Sequence, residues 1–390
     1  MYLNEEDIRY FTQLRHKLHQ IPELAYNERK SANLVCNELD KMGIDYEYGL
    51  GKTGIVAWVK KGSSNRAIAL RADLDALPIE EKTALPYASK HKGVMHACGH
   101  DGHTTMLLAA AKYIKEKLEF DGVVYFIFQP AEEGGAGAKA MIEDGLFEKF
   151  KIDKIYGLHN RPTEPFGTFL IKEGGVMSAI DIYKIKVEGK SAHSSQPHNA
   201  INPILVASHI VLALKNISSQ DINPANAHVV SVARIEGGTT FNIIPSECLI
   251  EGSIRVLDKE TQEVIEKRVK EIAKGIAAAF DTKAEVEYEH KYPITINSDI
   301  DAALRAIKRT TTPDKIVTNF PSSMGSEDFS FFLEKVPGCY VWLGSKKEGK
   351  KSAPLHSAYY DFEDDLINLG ATYWINLVDE ELGVGKKEDK

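Results

Sequence analysis

The sequence predicts an α/β fold: a mostly parallel sheet covered by helices, interrupted by a smaller α+β domain. Three observations carry this reading. Near-continuous apolar runs such as GVVYFIFQP (122–130) suit strands buried on both faces, as in a helix-covered parallel sheet. Helical periodicity separates these runs. Between about 181 and 294 the strand pattern changes to alternation of polar and apolar residues, as half-exposed strands require.

In chain order, residues 5–19 place Ile8, Phe11, Leu14 and Leu18 near helical spacing, and 28–41 form a second helix. GIVAWV (54–59) and AIALRAD (67–73) are short apolar strands. Residues 103–117 are a strong helix former with a basic end. After the strand at 122–130, residues 137–147 are helical and end near Gly145; IYGL (155–158) is another buried strand. The middle reads strand 181–189, helix 201–217, strands 228–238 and 247–257, helix 261–280, strand 284–290. That β-α-β-β-α-β order is the ferredoxin-like pattern. Helix 299–309, strand 339–344 and helix 365–381 then return to the first domain. The domains expected are therefore 1–180 and 295–390 for the larger one and 181–294 for the insertion, with the tail GVGKKEDK frayed.

Composition narrows the function. The chain has 390 residues, 43% hydrophobic and 27% charged, an ordinary globular balance whose length implies two domains. A net charge of −8 argues against a nucleic-acid partner, which needs clustered Lys and Arg. No apolar run reaches the roughly 18 residues of a membrane span. The acidic start, MYLNEEDIRYF, is unlike a signal peptide. Cys36, Cys98, Cys248 and Cys339 show no paired spacing, so the expectation is a cytoplasmic protein with reduced thiols.

The stretch MHACGHDGH (95–103) crowds His96, Cys98, His100 and His103 beside Asp101. Thiol and imidazole donors suit a transition metal better than calcium or magnesium. Other donors follow buried strands directly: RADLDALP after AIAL, QPAEEGG after VVYFIF, LHN after IYG. In an open parallel sheet, ligands bind outside the carboxyl ends of the strands, so these distant residues can meet there. His356 lies further beyond its strand. Glu132 and Glu133 are adjacent and diverge on an extended backbone; one can bind metal while the other faces substrate, and spacing does not choose between them. GGAGAK (134–139) lacks the GKS/T ending of a phosphate loop.

In these motifs the chain resembles the M20 metallopeptidases, specifically the amidohydrolase branch that includes hippurate hydrolases and plant auxin-conjugate hydrolases. The matching pieces are RHKLHQIPEL, ALRADLDALPI, MHACGHDGHTT, FQPAEEGGAGAKAMIEDG, GLHN, FNIIPSE, GSEDF and PLHS. The resemblance implies a zinc-peptidase-like catalytic domain and an inserted lid that mediates dimerisation. It implies two divalent ions per subunit, drawn from zinc, manganese, cobalt and nickel. Carried over by motif, Cys98, His100, Glu133, His159 and His356 are the metal ligands and Glu132 the general base. Asp75 orients a metal-site histidine; Asp73 replaces the histidine usual in the wider family and receives no ligand role. His193, reaching across a dimer, stabilises the oxyanion, although this chain has SAH where the branch usually has GGH. Asn242 and Arg255 lie near the substrate, with Arg255 as a carboxylate clamp.

The other polar residues have plainer readings. His96 and His103 are structural or support the ligands, and His16 and His19 are helix-face packing or surface residues. His198 is a cleft or loop histidine, and Ser326, Glu327 and Asp328 are candidates for the cleft floor or for substrate binding. The implied activity is hydrolysis of an N-acyl amino acid, with N-benzoylglycine as the leading substrate. The alternatives are deacetylation of N-acetyl-diaminopimelate or another N-acetyl amino acid, a dipeptidase, and a non-catalytic metal-binding scaffold. The implied assembly is a homodimer through the lid, or a tetramer.

Overall fold

The computed structural model describes residues 1–349 and 352–385, so the last five residues of the tail lie outside the described residues. The chain forms two compact units: one of Met1–Gly174, Ile296–Pro321 and the chain from Asp328 onward, the other of Gly175–Thr295 and Ser322–Glu327.

The larger unit begins with α1 (Glu5–His19), where the Asn4 side chain caps the Asp7 N–H and Glu5, Glu6 and Asp7 sit at the positive end of the helix dipole. Phe11, Leu14 and Leu18 form its buried face. α2 (Arg29–Met42) stops at Gly43, whose φ of 60° is the usual left-handed cap. β1 (Asp45–Leu50), β2 (Gly54–Lys61) and β3 (Ala67–Asp73) follow, then α3 (His100–Glu116), β4 (Gly122–Gln129), α4 (Gly137–Glu143), β5 (Lys154–Pro165) and β6 (Phe169–Leu170).

The smaller unit contains β7 (Ala179–Glu188), α5 (Pro203–Asn216), β8 (His228–Gly237), β9 (Glu247–Val256), α6 (Lys259–Ala279) and β10 (Ala284–Tyr292). Its sheet runs β8-β9-β7-β10, wholly antiparallel, which is the ferredoxin-like strand order. Along β7 burial alternates, so Tyr183, Ile185 and Val187 face a core shared with Ala207, Ile210 and Leu214 of α5 and Ile265, Val269 and Ala273 of α6.

The larger unit is completed by α7 (Asp301–Thr310), β11 (Ile316–Val317), β12 (Gly338–Lys346) and α8 (Leu366–Leu382). Its eight-stranded sheet is ordered β1-β2-β4-β3-β5-β12-β6-β11. The centre is parallel, from β4 through β3 and β5 to β12. The flanks are mixed, because β1, β2 and β4 pair antiparallel and β6 runs against β12. Every residue of β3 is buried, as a central strand covered on both faces demands. α3 and α8 pack against it, and Leu107, Ala110 and Ala111 of α3 and Ile367 and Trp374 of α8 belong to the same core. Gly370 makes the approach of α8 possible: a Cβ there would stand 2.1 Å from the Met106 sulfur.

Local departures from the sequence reading have clear causes. α3 starts at His100 rather than 103 because Gly99, at φ 95°, reverses the chain immediately before it. The helix expected over 137–147 breaks after Glu143, where Gly145 adopts φ 90°. The edge strand β1 escapes the apolar-run criterion because Leu50 alone among its residues is buried.

Candidate metal centre

The central strands deliver their ends to one place. β3 closes at Asp73, with Asp75 two residues on; β4 closes at Gln129 and leads into a tight turn over 131–136. His159 sits within β5, since that strand continues to Pro165 beyond the short run expected. His100 opens α3, and His356 lies in the segment between β12 and α8, its N–H bonded to the Ala97 carbonyl at 2.8 Å. Ala131, Ala136 and His356 have φ of 53°, 56° and 64°. Side-chain-bearing residues enter this region at a cost of about 1–2 kcal/mol each, and such strain gathers at functional sites.

The predicted donors come together. Ligand atoms of Cys98, Glu133 and His356 lie within 4.8 Å of one another, as do those of His100, Glu132 and Glu133. Cys98 Sγ is 3.4 Å from His159 Nε2, so the two groups and His159 form one continuous cluster. His100 Nδ1 donates to the Asp75 carbonyl at 2.9 Å and approaches Asp75 Oδ1 at 3.2 Å. Asp75 Oδ2 accepts the Glu133 N–H at 2.9 Å. His159 Nδ1 donates to the Asn160 carbonyl at 2.7 Å. Those bonds set the tautomers and turn each Nε2 toward the cluster, the usual arrangement behind a metal-binding histidine.

Electrostatics fit cations. Burial pushes the Cys98 thiol well above its usual range, and the charges of Glu133, Glu132 and Asp73 add to this. Burial opposes charging of His100, but Asp73 and Asp75 outweigh it and push its pKa up to about 10. Burial and the nearby His103 hold His159 well below an ordinary imidazole. Burial would raise Glu133, yet its contact with His356 and the charge of His100 bring it down. His100 Nε2 is buried with no hydrogen-bond partner among the described residues. A thiol, three imidazoles and two carboxylates with an orphaned imidazole nitrogen match the donor chemistry of zinc and its first-row neighbours.

Asp73 proves more involved than the sequence implied. It accepts from Arg71 Nη1 at 2.8 Å and His103 Nδ1 at 2.7 Å, and its Oδ2 lies 3.7 Å from His100 Nε2. The other His103 nitrogen meets Asn160 Oδ1 at 2.7 Å, so His103 braces the site through both ring nitrogens. Charged residues at 71, 73 and 75 of one strand end were the available signal; the Asn160 contact left none. His19 is no mere packing residue, since its fully buried ring meets Asp101 Oδ2 at 2.8 Å. Asp328 is a brace, bonded by Gln129 Nε2 at 2.7 Å and the Ala138 N–H at 3.0 Å. His96 is buried with no partner on either ring nitrogen among the described residues.

Three predicted residues belong to the smaller unit. His193 is exposed on a two-residue strand paired with Ile243–Ile244. Its Nδ1 accepts the Ser195 N–H at 3.1 Å, which puts the neutral ring's proton on Nε2. Asn242 follows the fully exposed Phe241 and accepts the Ser194 N–H through its carbonyl at 3.0 Å. Arg255 Nη1 donates to the Met324 carbonyl at 2.9 Å and to Ser326 Oγ at 3.0 Å. His198 stands exposed in a short helical turn.

Comparison with known proteins agrees with this geometry. The model of peptidase family M20/M25/M40 matches residues 69–380. Hippurate hydrolase of Campylobacter jejuni subsp. jejuni serotype O:2 is 43% identical over 369 residues, 94% of this chain and 95% of that protein. N-acetyl-L-cysteine deacetylase of Bacillus subtilis is 42% identical over 333 residues, 85% of this chain and 79% of that one. The solved structure of the YXEP protein of Bacillus subtilis, a dinuclear metal binding peptidase from the M20 family, has a TM-score of 0.84 at 32% identity, covering 96% of this chain and 98% of that one. With most of its length inside the family model and its donors gathered at the strand ends, the chain belongs to peptidase family M20/M25/M40 and is a hydrolase of that family.

Proposed function

We propose that the chain cleaves N-acyl amino acids to a carboxylic acid and a free amino acid, with N-benzoylglycine as the leading substrate. The observation that carries this reading is the convergence of Cys98, Glu133 and His356 with His100, Glu132 and Glu133. The identity to a hippurate hydrolase across nearly the whole chain supports the substrate class. Two divalent ions held by Cys98, His100, Glu133, His159 and His356 would supply Lewis acidity and a more acidic water. Zinc, manganese, cobalt and nickel all suit this donor set.

Glu132 is the general base: it takes a proton from the attacking water and returns it to the departing amine. Asp75 orients His100 and secures the Glu133 backbone. His193, with its proton on Nε2, is suited to donate to the oxyanion, a contact worth roughly 3 kcal/mol where it forms. Arg255, with Nη1 already anchored, is the clamp for the substrate carboxylate, and Asn242 a further substrate contact. A homodimer through the smaller unit is the proposed assembly, and four free cysteines favour the cytoplasm.

The test is a substrate panel of N-benzoylglycine, N-acetyl amino acids, N-acetyl-diaminopimelate and dipeptides with free α-amines. Preference for N-benzoylglycine is expected. Turnover confined to acetylated substrates would move the assignment to a deacetylase, the reading favoured by the 42% identity to N-acetyl-L-cysteine deacetylase.

A further inference from the structure

The turn bearing Glu132 and Glu133 adopts a backbone that its own residues disfavour. Ala131 and Ala136 are both left-handed, and Glu133 between them leaves the helical region at ψ 74°. Such a conformation persists only where neighbours over-determine it. Hydrogen bonds from several directions do so here. Asp75 holds the Glu133 N–H and Asp328 holds the Ala138 N–H. Two further contacts come from the segment before α2, which supplies no metal donor. Glu28 Oε1 accepts the Ala131 N–H at 2.8 Å, and the Tyr26 hydroxyl donates to the Gly135 carbonyl at 2.7 Å.

Glu28 is wholly buried and fully engaged. Its Oε1 also accepts the Tyr26 N–H at 2.9 Å, and its Oε2 accepts the Thr53 hydroxyl at 2.5 Å. One carboxylate thus locks Tyr26, itself at φ 64°, together with the residue preceding Glu132. The contacts bracket the glutamate pair, one residue before it and two after.

We propose that Glu28 and Tyr26 are positioning residues for the glutamate pair: through the Ala131 N–H and the Gly135 carbonyl they hold the turn so that Glu133 faces Cys98 and His356 while Glu132 stands beside it. This rests on the roles given above to Glu132 and Glu133. Loosening the turn weakens metal binding through Glu133 and proton transfer through Glu132, and leaves substrate affinity alone.

The experiment compares full-length Tyr26→Phe, Glu28→Ala and Glu28→Gln with the parent. Zinc affinity is measured by chelator competition on metal-free protein, alongside its melting midpoint, and kcat and KM are measured on zinc-loaded protein. Tyr26→Phe is expected to weaken zinc binding about tenfold and lower kcat similarly, with KM and the metal-free midpoint near the parent's. Glu28→Ala should lose more. Glu28→Gln should recover most of that loss, since its amide oxygen still accepts the Ala131 N–H and the Thr53 hydroxyl can turn to accept. Parental zinc affinity in Tyr26→Phe overturns the proposal, and so does Glu28→Gln behaving as Glu28→Ala does. If Glu28→Ala fails to fold, Tyr26→Phe decides alone. Glu133→Gln is the control: if that change leaves zinc affinity intact, the ligand assignment fails instead.

Discussion

Asp75 serves His100 with one carboxylate oxygen and the Glu133 backbone with the other. Asp75→Asn keeps a single acceptor and turns an NH2 toward one of two donors. Metal affinity should fall by roughly 10–100-fold, read by chelator competition. Glu132→Ala should behave differently: a loss of about 10²–10⁴ in kcat with metal content unchanged by elemental analysis. Candidate donors were visible because thiol, imidazole and carboxylate residues at or near strand ends are conspicuous by type, and the family resemblance chose among them. Tyr26 and Glu28 were not, because their work runs through contacts to backbone or to residues distant in sequence, which no spacing encodes.

Helix α1 ties together the segments that carry His100 and His356. Its Arg15, wholly buried, reaches Asp101 at 3.4 Å, Asp361 at 3.0 Å and Asp364 at 2.8 Å. Arg15→Met removes one of the two cations beside the buried Asp101 charge, His19 being the other, and should destabilise the larger unit by about 3 kcal/mol, measured by urea unfolding. His19, one turn later, adds a pH dependence. Burial alone would keep its ring neutral, but Asp101 prevails and pushes the pKa up to about 9 from an ordinary 6.5. A raised pKa stabilises fully below 6.5 and is lost as pH climbs through 9. Between those values the parent should lose on the order of 3 kcal/mol more unfolding free energy than His19→Gln. Equal losses in the two proteins would remove His19 as the source. The helix was legible from its apolar spacing; its polar role was not, because Asp101, Asp361 and Asp364 meet it only after folding.

For the whole molecule, alternation of strand character along the sequence separates the parallel-centred sheet from the ferredoxin-like one. The antiparallel flank of the larger sheet stayed hidden, because β2 and β4 are apolar whichever way they run. In the smaller sheet β8 is an edge strand with exposed Val229 and Ile235, while the opposite edge, β10, carries Glu285, Glu287 and Glu289. Charge guards one edge and not the apolar positions of the other, which makes β8 the expected seam of the proposed homodimer. Ile235→Lys should lower the mass seen by light scattering toward that of one chain. An unchanged dimer would place the seam elsewhere.

The donors also differ in depth. Cys98 is 8% exposed and His100 and His159 less, whereas the His356 side chain is 53% exposed. Ions would therefore leave the centre at unequal speeds, the one leaning on His356 first. Protein loaded with zinc and transferred to cobalt should exchange in two phases and pass through a hybrid holding one of each, visible in the cobalt absorption bands. Activity of that hybrid would then reveal which of the two positions sets the rate.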